Sequence, residues 1–190
     1  MKRGFKTQAE KQAIEVRQSL SLRPWERLPA ARLAQELNVE VIEPGRVDGL
    51  TQDQLQVLLQ TRSEEWSAVT LLTEEGTHLV IENPSHSTKR KEATLLHELA
   101  HILRKHRPAA FSSIEGLGVV IRGYDQEQED EADFLGRCLH LPKPLLNFCL
   151  NRSYTAEQIS DYAHASVELV KFRLNISGVL AIRRRLAAIS

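Results

Sequence analysis

The sequence predicts an α+β fold, and three features carry that expectation. Two β-prone runs, 66–72 and 78–82, flank the polar turn "TEEG" containing Gly76, which predicts a hairpin. Apolar residues at helical spacing before and after the hairpin predict helices. The chain has 190 residues, 42% hydrophobic and 26% charged, the balance of a soluble globular protein of one domain, or one domain with a small appendage.

In chain order, "KTQAEKQAIEVRQSL" (6–20) is expected to form a polar surface helix with Ile14 and Val16 on its inner side. "PWERLPAARLAQELN" follows with Leu28, Ala31, Leu33, Ala34 and Leu37 at helical spacing, and Asn38 ends it. "VEVIEP" alternates as a short strand before the Pro44-Gly45 break. Residues 46–65 are ambiguous, with Thr51 placed to cap a short helix. After the hairpin, "NPSHS" breaks the strand and Ser87 is placed to cap a helix over 88–105, which Pro108 stops. "FSSIEGLGVVIRGY" is glycine-rich and expected to be a loop holding a short strand. "DQEQEDEADFLGRCLHL" predicts an acidic-headed helix ending before Pro142. The last 40 or so residues predict two helices about a turn at Ala165, then a basic tail with Arg183, Arg184 and Arg185. The organisation expected is a domain over 1–150, its N-terminal helices (1–38) included, and a helical segment over 151–190.

Charge and cysteine content exclude several classes. The 25 basic and 25 acidic side chains cancel, so no global field draws the chain to nucleic acid or membrane. Cys138 and Cys149 form no C-x-x-C pair and are expected to be buried free thiols of a reducing compartment. The basic N-terminus has no apolar core of a signal peptide, and no run is long enough to span a bilayer, so the cytoplasm is the expected location.

The chemistry concentrates in "ATLLHELAHILRKH" (93–106). Residues four apart on a helix differ by about 40° of rotation, so His97 and His101 project together and can share one ion. Glu98 lies about 60° from His101, within reach of a water on that ion without taking a ligand position. Leu95, Leu96, Leu99, Ile102 and Leu103 gather on the opposite, core-facing side. Two neutral imidazoles and a carboxylate leave zinc an open position for water, and Glu98 is placed to take that water's proton. Glu127, Glu129, Asp130, Glu131, Asp133 and His140 are candidates for the third ligand. Helical phase favours Glu131, one turn ahead of Leu135 and Leu139 on an inward stripe, because a carboxylate opening a buried stripe is costly unless paired or metal-bound.

"NPSHSTKRKEATLLHELAHILRKH" followed by "EDEADFLGRCLHLP" resembles the ImmA/IrrE family of bacterial and phage metallopeptidases. Asn83, Arg90, His97, Glu98, His101, Glu131, Ala132, Asp133 and Pro142 fall on that family's pattern. The resemblance is firm over 66–142; Gly136, Arg137 and His140 depart from it. It implies a zincin-like (gluzincin) fold with a small antiparallel or mixed sheet, an H-E-x-x-H helix and a glutamate-bearing helix, followed here by the C-terminal helical pair. It implies His97, His101 and Glu131 as ligands of Zn2+, with Mn2+ or Fe2+ as other occupants, and Glu98 as general base. It also implies a protein substrate, a helix-turn-helix transcriptional repressor of a phage, mobile element or stress regulon.

The hairpin at 66–82 is the candidate edge for laying a substrate strand. His164, Tyr154 and Tyr162 are candidates for stabilising an oxyanion, and His78, His86 and His106 are expected at the surface. "TAEQISDYAHASVELVKFRLNISG" looks like a helix-turn-helix whose second helix carries Lys171 and Arg173, but Glu157, Asp161 and Glu168 argue against direct DNA binding. The rival to a peptidase is a DNA- or repressor-binding regulator with a structural metal, a site that Cys138 or His140 would close as fourth ligand. Glu98 favours the enzyme, because a closed structural site gains nothing from a base beside its water.

Overall fold

Short β-prone stretches produce a three-stranded sheet in the computed structural model, which describes residues 3–47, 49–73, 76–106, 111–114, 119–122 and 125–188. β1 (Val39–Ile42) runs parallel to β3 (His78–Glu82), and β2 (Ala68–Leu72) runs antiparallel to β3 on its other side. The order β1-β3-β2 makes a mixed sheet in which Val80 of the central strand is fully buried. The connection between β2 and β3 turns through Gly76 at φ 81°, a left-handed conformation that glycine adopts without a Cβ clash. Thr73 N–H donates to the Thr77 carbonyl at 2.9 Å across that turn.

The elements are helices and short strands in a small mixed sheet, so the α+β expectation holds. The chain divides into two compact units, one of Pro29–Asp133 and one joining Lys2–Leu28 with Phe134–Ser190. The boundary expected at residue 150 lies within a helix, Lys143–Asn151.

The first unit contains the sheet, α2 (Ala30–Glu36), α3 (Gln52–Gln56) and α4 (Thr88–Leu103). Thr51 caps α3 through a reciprocal capping box with Gln54, resolving the ambiguous stretch as a short helix continued by an irregular turn. The helix expected over 24–38 is shorter: Pro29 starts α2, whose Ala30 N–H donates to the Glu92 carboxylate of α4 at 3.0 Å. In place of one short strand in a loop, β4 (Phe111–Ile114) and β5 (Val119–Arg122) pair antiparallel, and β5 packs near β2. Residues 74–75 of the expected turn and Pro108 lie outside the described residues.

The second unit is helical: α1 (Phe5–Ser19), α6 (Lys143–Asn151), α7 (Ala156–Ala163), α8 (Val167–Ile176) and α9 (Val179–Ala187). Its core gathers Leu141, Leu145, Leu146, Ile159, Val170 and Val179, each worth about 1.5–3 kcal/mol when fully buried. The expected basic tail is the helix α9. α7 ends at His164 in a left-handed turn, with Ala165 buried beneath it, as the spacing of Ile159 and Val170 predicts. α5 (Gln126–His140) carries the division between the units, which falls after Asp133. Among the described residues no helix is long and apolar enough to cross a membrane.

Candidate metal centre

α4 holds the site because both of its ends are fixed. Asn83 is fully buried, donates to the Ser63 and Trp66 carbonyls, and accepts from the Ser85 N–H and hydroxyl at 3.0 and 2.8 Å. That turn delivers Ser87 as N-cap, its hydroxyl accepting from Arg90 N–H. Leu95, Leu96 and Leu99 are buried on the core side, Ile102 and Leu103 partly so. His101 is 2% exposed.

The imidazoles of His97 and His101 converge as their spacing predicts, Nε2 to Nε2 at 3.1 Å. A third donor meets them: Glu129, at the start of α5, stands 3.3 Å from each Nε2 through its two carboxylate oxygens. Asp133, one turn further along α5, reaches the other nitrogen of His97, Nδ1, at 3.3 Å. A carboxylate at Nδ1 selects the tautomer with the proton on Nδ1 and leaves Nε2 a bare lone pair.

This donor set fits a divalent ion. Ligand atoms 2.0–2.1 Å from one zinc at tetrahedral angles stand about 3.4 Å apart, close to the spacings found here. Two imidazole lone pairs and a carboxylate facing one another repel unless a cation or proton lies among them. His97, His101 and Glu129 are also the one His/Cys/Asp/Glu group among the described residues whose ligand atoms gather this closely. Burial works to lower the pKa of His97, but the Asp133 hydrogen bond and the charges of Glu98, Asp133 and Glu129 outweigh it and raise it.

Glu131, the third ligand expected from helical phase, is 7% exposed but does not join this group. Its Oε2 accepts from Arg104 Nη2 and Nε at 3.1 and 3.3 Å and lies 3.5 Å from His106 Nε2. A buried carboxylate must be paired or metal-bound, and Glu131 is paired. The spacing of Glu129 and Asp133, four apart like His97 and His101, is the signal in the sequence for the acidic stripe that faces the two imidazoles.

His106 is not a surface residue. Its side chain is 7% exposed and its Nδ1 stands 2.9 Å from His101 Nδ1. Burial lowers its pKa, more than the neighbouring Glu131 carboxylate raises it. His86, also expected at the surface, is 8% exposed.

Glu98 gains a partner that sequence reasoning missed: Thr70 of β2 donates its hydroxyl to Glu98 Oε2. Edge strand and α4 thereby hold the carboxylate from two sides. Nothing in the sequence links residues 70 and 98; the pairing is a product of the fold.

The other expected chemical residues have local roles in the helical unit. Tyr162 stacks on Phe148 with ring centroids 5.7 Å apart and contacts the edge of Tyr154, and His164 forms the left-handed end of α7. His140 Nε2 contacts the Ala163 and His164 carbonyls at 3.2 Å. Cys138 and Cys149 are buried free thiols, as expected. Arg173, which the helix-turn-helix reading put on the second helix beside Lys171, is fully buried against Glu10.

Residues 52–175 match the family model of peptidase family M78, described as the IrrE N-terminal-like domain. The match spans β2, β3, α4 and α5 and continues through α7 into α8. No curated protein matches the chain.

Proposed function

This chain belongs to the IrrE N-terminal-like family of metallopeptidases, and from that premise we propose that it is a zinc-dependent endopeptidase whose ion is held by His97, His101 and Glu129. The observation that carries the proposal is the meeting of two Nε2 lone pairs and the Glu129 carboxylate at one point, 3.1–3.3 Å apart, on the helix that also bears Glu98. The third ligand is thus assigned to Glu129 rather than Glu131. Manganese or iron suits the same donors, and availability decides between them.

A divalent ion bound there supplies Lewis acidity, polarising the scissile carbonyl and making water a nucleophile near neutral pH. Asp133 fixes the orientation and tautomer of His97, so its Nε2 is presented without rearrangement. Glu98 takes a proton from the attacking water and hands it to the departing amine. Thr70, by donating to Oε2, holds the Glu98 carboxylate in one rotamer.

As substrate we propose a helix-turn-helix transcriptional repressor, the class implied by the ImmA/IrrE resemblance. β2 is an edge strand of the three-stranded sheet and carries Thr70 onto Glu98, so an extended peptide added along it passes beside the general base. A purely structural ion would call for a fourth protein ligand; the group among the described residues has three members, and His140 is engaged with backbone carbonyls. Burial of Arg173 leaves Lys171 as the exposed base of α8, which weighs against direct DNA reading.

The test is co-expression with candidate repressors. Glu98→Gln is expected to keep its metal and lose cleavage by about 10²–10⁴-fold, the size of a general-base contribution. Cleavage at the wild-type rate by a metal-loaded Glu98→Gln protein refutes the assigned role.

A further inference from the structure

His101 lacks the support that Asp133 gives His97, and another residue occupies that position. The C-terminus of α4 closes with two backbone hydrogen bonds, Lys105 N–H to the Ile102 carbonyl at 2.9 Å and His106 N–H to the His101 carbonyl at 3.0 Å. Lys105 is left-handed at φ 54°. This is the Schellman pattern, in which the chain folds back and sets the second residue after the cap against the helix three positions before it. That contact is commonly hydrophobic. Here it is two imidazoles, His106 Nδ1 to His101 Nδ1 at 2.9 Å, with the rings at 74°.

Hydrogen-bond direction makes the pair informative. With Nε2 of His101 given to an ion, its Nδ1 carries the proton and donates. His106 Nδ1 must then accept, which puts the His106 proton on Nε2. That nitrogen faces Glu131 Oε2 at 3.5 Å, and Arg104 anchors the same oxygen at 3.1 Å. Every donor in the series has an acceptor with all groups in their ordinary charge states.

We propose that His106, set by the helix cap and backed by Glu131 and Arg104, is the positioning residue that orients His101 for metal binding. The inference rests on the metallopeptidase reading. It also gives the buried Glu131 a role: it supports the ligand without contacting the ion.

The experiment measures zinc affinity of the full chain by chelator competition, independently of any substrate. His106→Leu is expected to weaken zinc binding about 10–100-fold. His106→Asn, whose side-chain oxygen can accept from His101 in the same position, is expected to stay within about threefold of wild type. Glu131→Ala is expected to weaken binding less than His106→Leu, and to add little when combined with it, because both act through one ring. Equal affinities for wild type and His106→Leu overturn the inference. So does a His106→Asn protein as weak as His106→Leu, which makes the contact mere packing. Independent, fully additive losses from His106→Leu and Glu131→Ala also overturn it. A wild-type protein that binds no zinc refutes the metallopeptidase reading itself, whereas tight wild-type binding unaffected by His106→Leu refutes the role of His106 alone.

Discussion

Arg173 and His101 are almost equally hidden, at 0% and 2% exposure, but their surroundings differ in kind. In the helical unit, Arg173 donates to the Leu141 carbonyl at 3.0 Å and to Glu10 Oε1 at 2.7 Å. Glu10 Oε2 accepts from Lys143 N–H, and Arg17 donates to the Ala13, Glu26 and Leu139 carbonyls. These cations face acceptors, and the arrangement is nearly complete without an added group. In the sheet-bearing unit, His97 and His101 turn their outer nitrogens to a carboxylate and a third imidazole, and their inner lone pairs meet Glu129. Acceptors face acceptors there. Buried polarity that pairs with itself is architecture; buried polarity left with a surplus of lone pairs at one point calls for a cation.

The largest effect expected from this contrast lies in the helical unit. Arg173→Met leaves Glu10 buried and uncompensated, and is expected to cost about 3–5 kcal/mol of folding stability in urea denaturation. Adding Glu10→Leu removes the stranded carboxylate and is expected to recover a substantial part. A double variant less stable than Arg173→Met by the full cost of a second core lesion would show the pair to be more than an ion pair.

Metal removal comes next in size. Zinc at about a thousand times its dissociation constant is expected to add about 4 kcal/mol to the stability of the folded state, raising the melting temperature by roughly 10 °C. Glu129→Ala is expected to abolish that rise while leaving the metal-free melting temperature nearly unchanged, because it deletes a carboxylate facing lone pairs. A full zinc-induced rise in Glu129→Ala, with none in Glu131→Ala, would return the third-ligand role to Glu131.

That reversal would restore the sequence-based choice, which shows where legibility stopped. The hairpin, α4 with its Ser87 cap, α5 ending before Pro142 and the convergence of His97 and His101 all follow from local periodicity and from capping and stop residues. These are properties of neighbouring residues. Glu129 against Glu131 depends on which face of α5 meets α4: the apolar stripe through Leu135 and Leu139 points to Glu131, which Arg104 and His106 neutralise, whereas Glu129 is the carboxylate beside the two imidazoles. Thr70 on Glu98 and Arg173 on Glu10 join residues far apart in the chain, which one sequence does not reveal. Nor does the sequence mark Arg17 and Arg173 as buried, since arginine is rarely buried unless paired and the partners lie elsewhere in the chain.

Asp133→Asn is a finer probe of the site. The amide retains an oxygen for His97 Nδ1 but loses the charge, so zinc affinity is expected to fall about tenfold, toward the lower end of what such supports contribute. Folding stability of the metal-free protein should hardly move, since the Asp133 side chain is 52% exposed. A loss of stability with unchanged affinity would place Asp133 with the architectural residues.

The smallest effect returns to the helical unit and to pH. Burial raises the Cys138 thiol from 9.0 to about 12 and the Cys149 thiol from 9.0 to about 11. A group whose folded pKa is raised contributes stability that is complete below its unfolded value and is lost as pH rises toward the folded one. The window here opens at pH 9, where unfolded thiols ionise and folded ones do not. Burial lowers Arg17 to about 10, which acts in the opposite direction above that pH and blunts the total. The informative quantity is therefore the slope for each thiol rather than the overall curve. Cys138→Ala leaves a cavity that lowers stability at every pH, but between pH 9 and 10 it should remove about 1 kcal/mol of the decline seen in wild type. Parallel curves for the two proteins would mean that the Cys138 thiol ionises as readily in the folded chain as in the unfolded one, and that this core admits charge more freely than its buried arginines suggest.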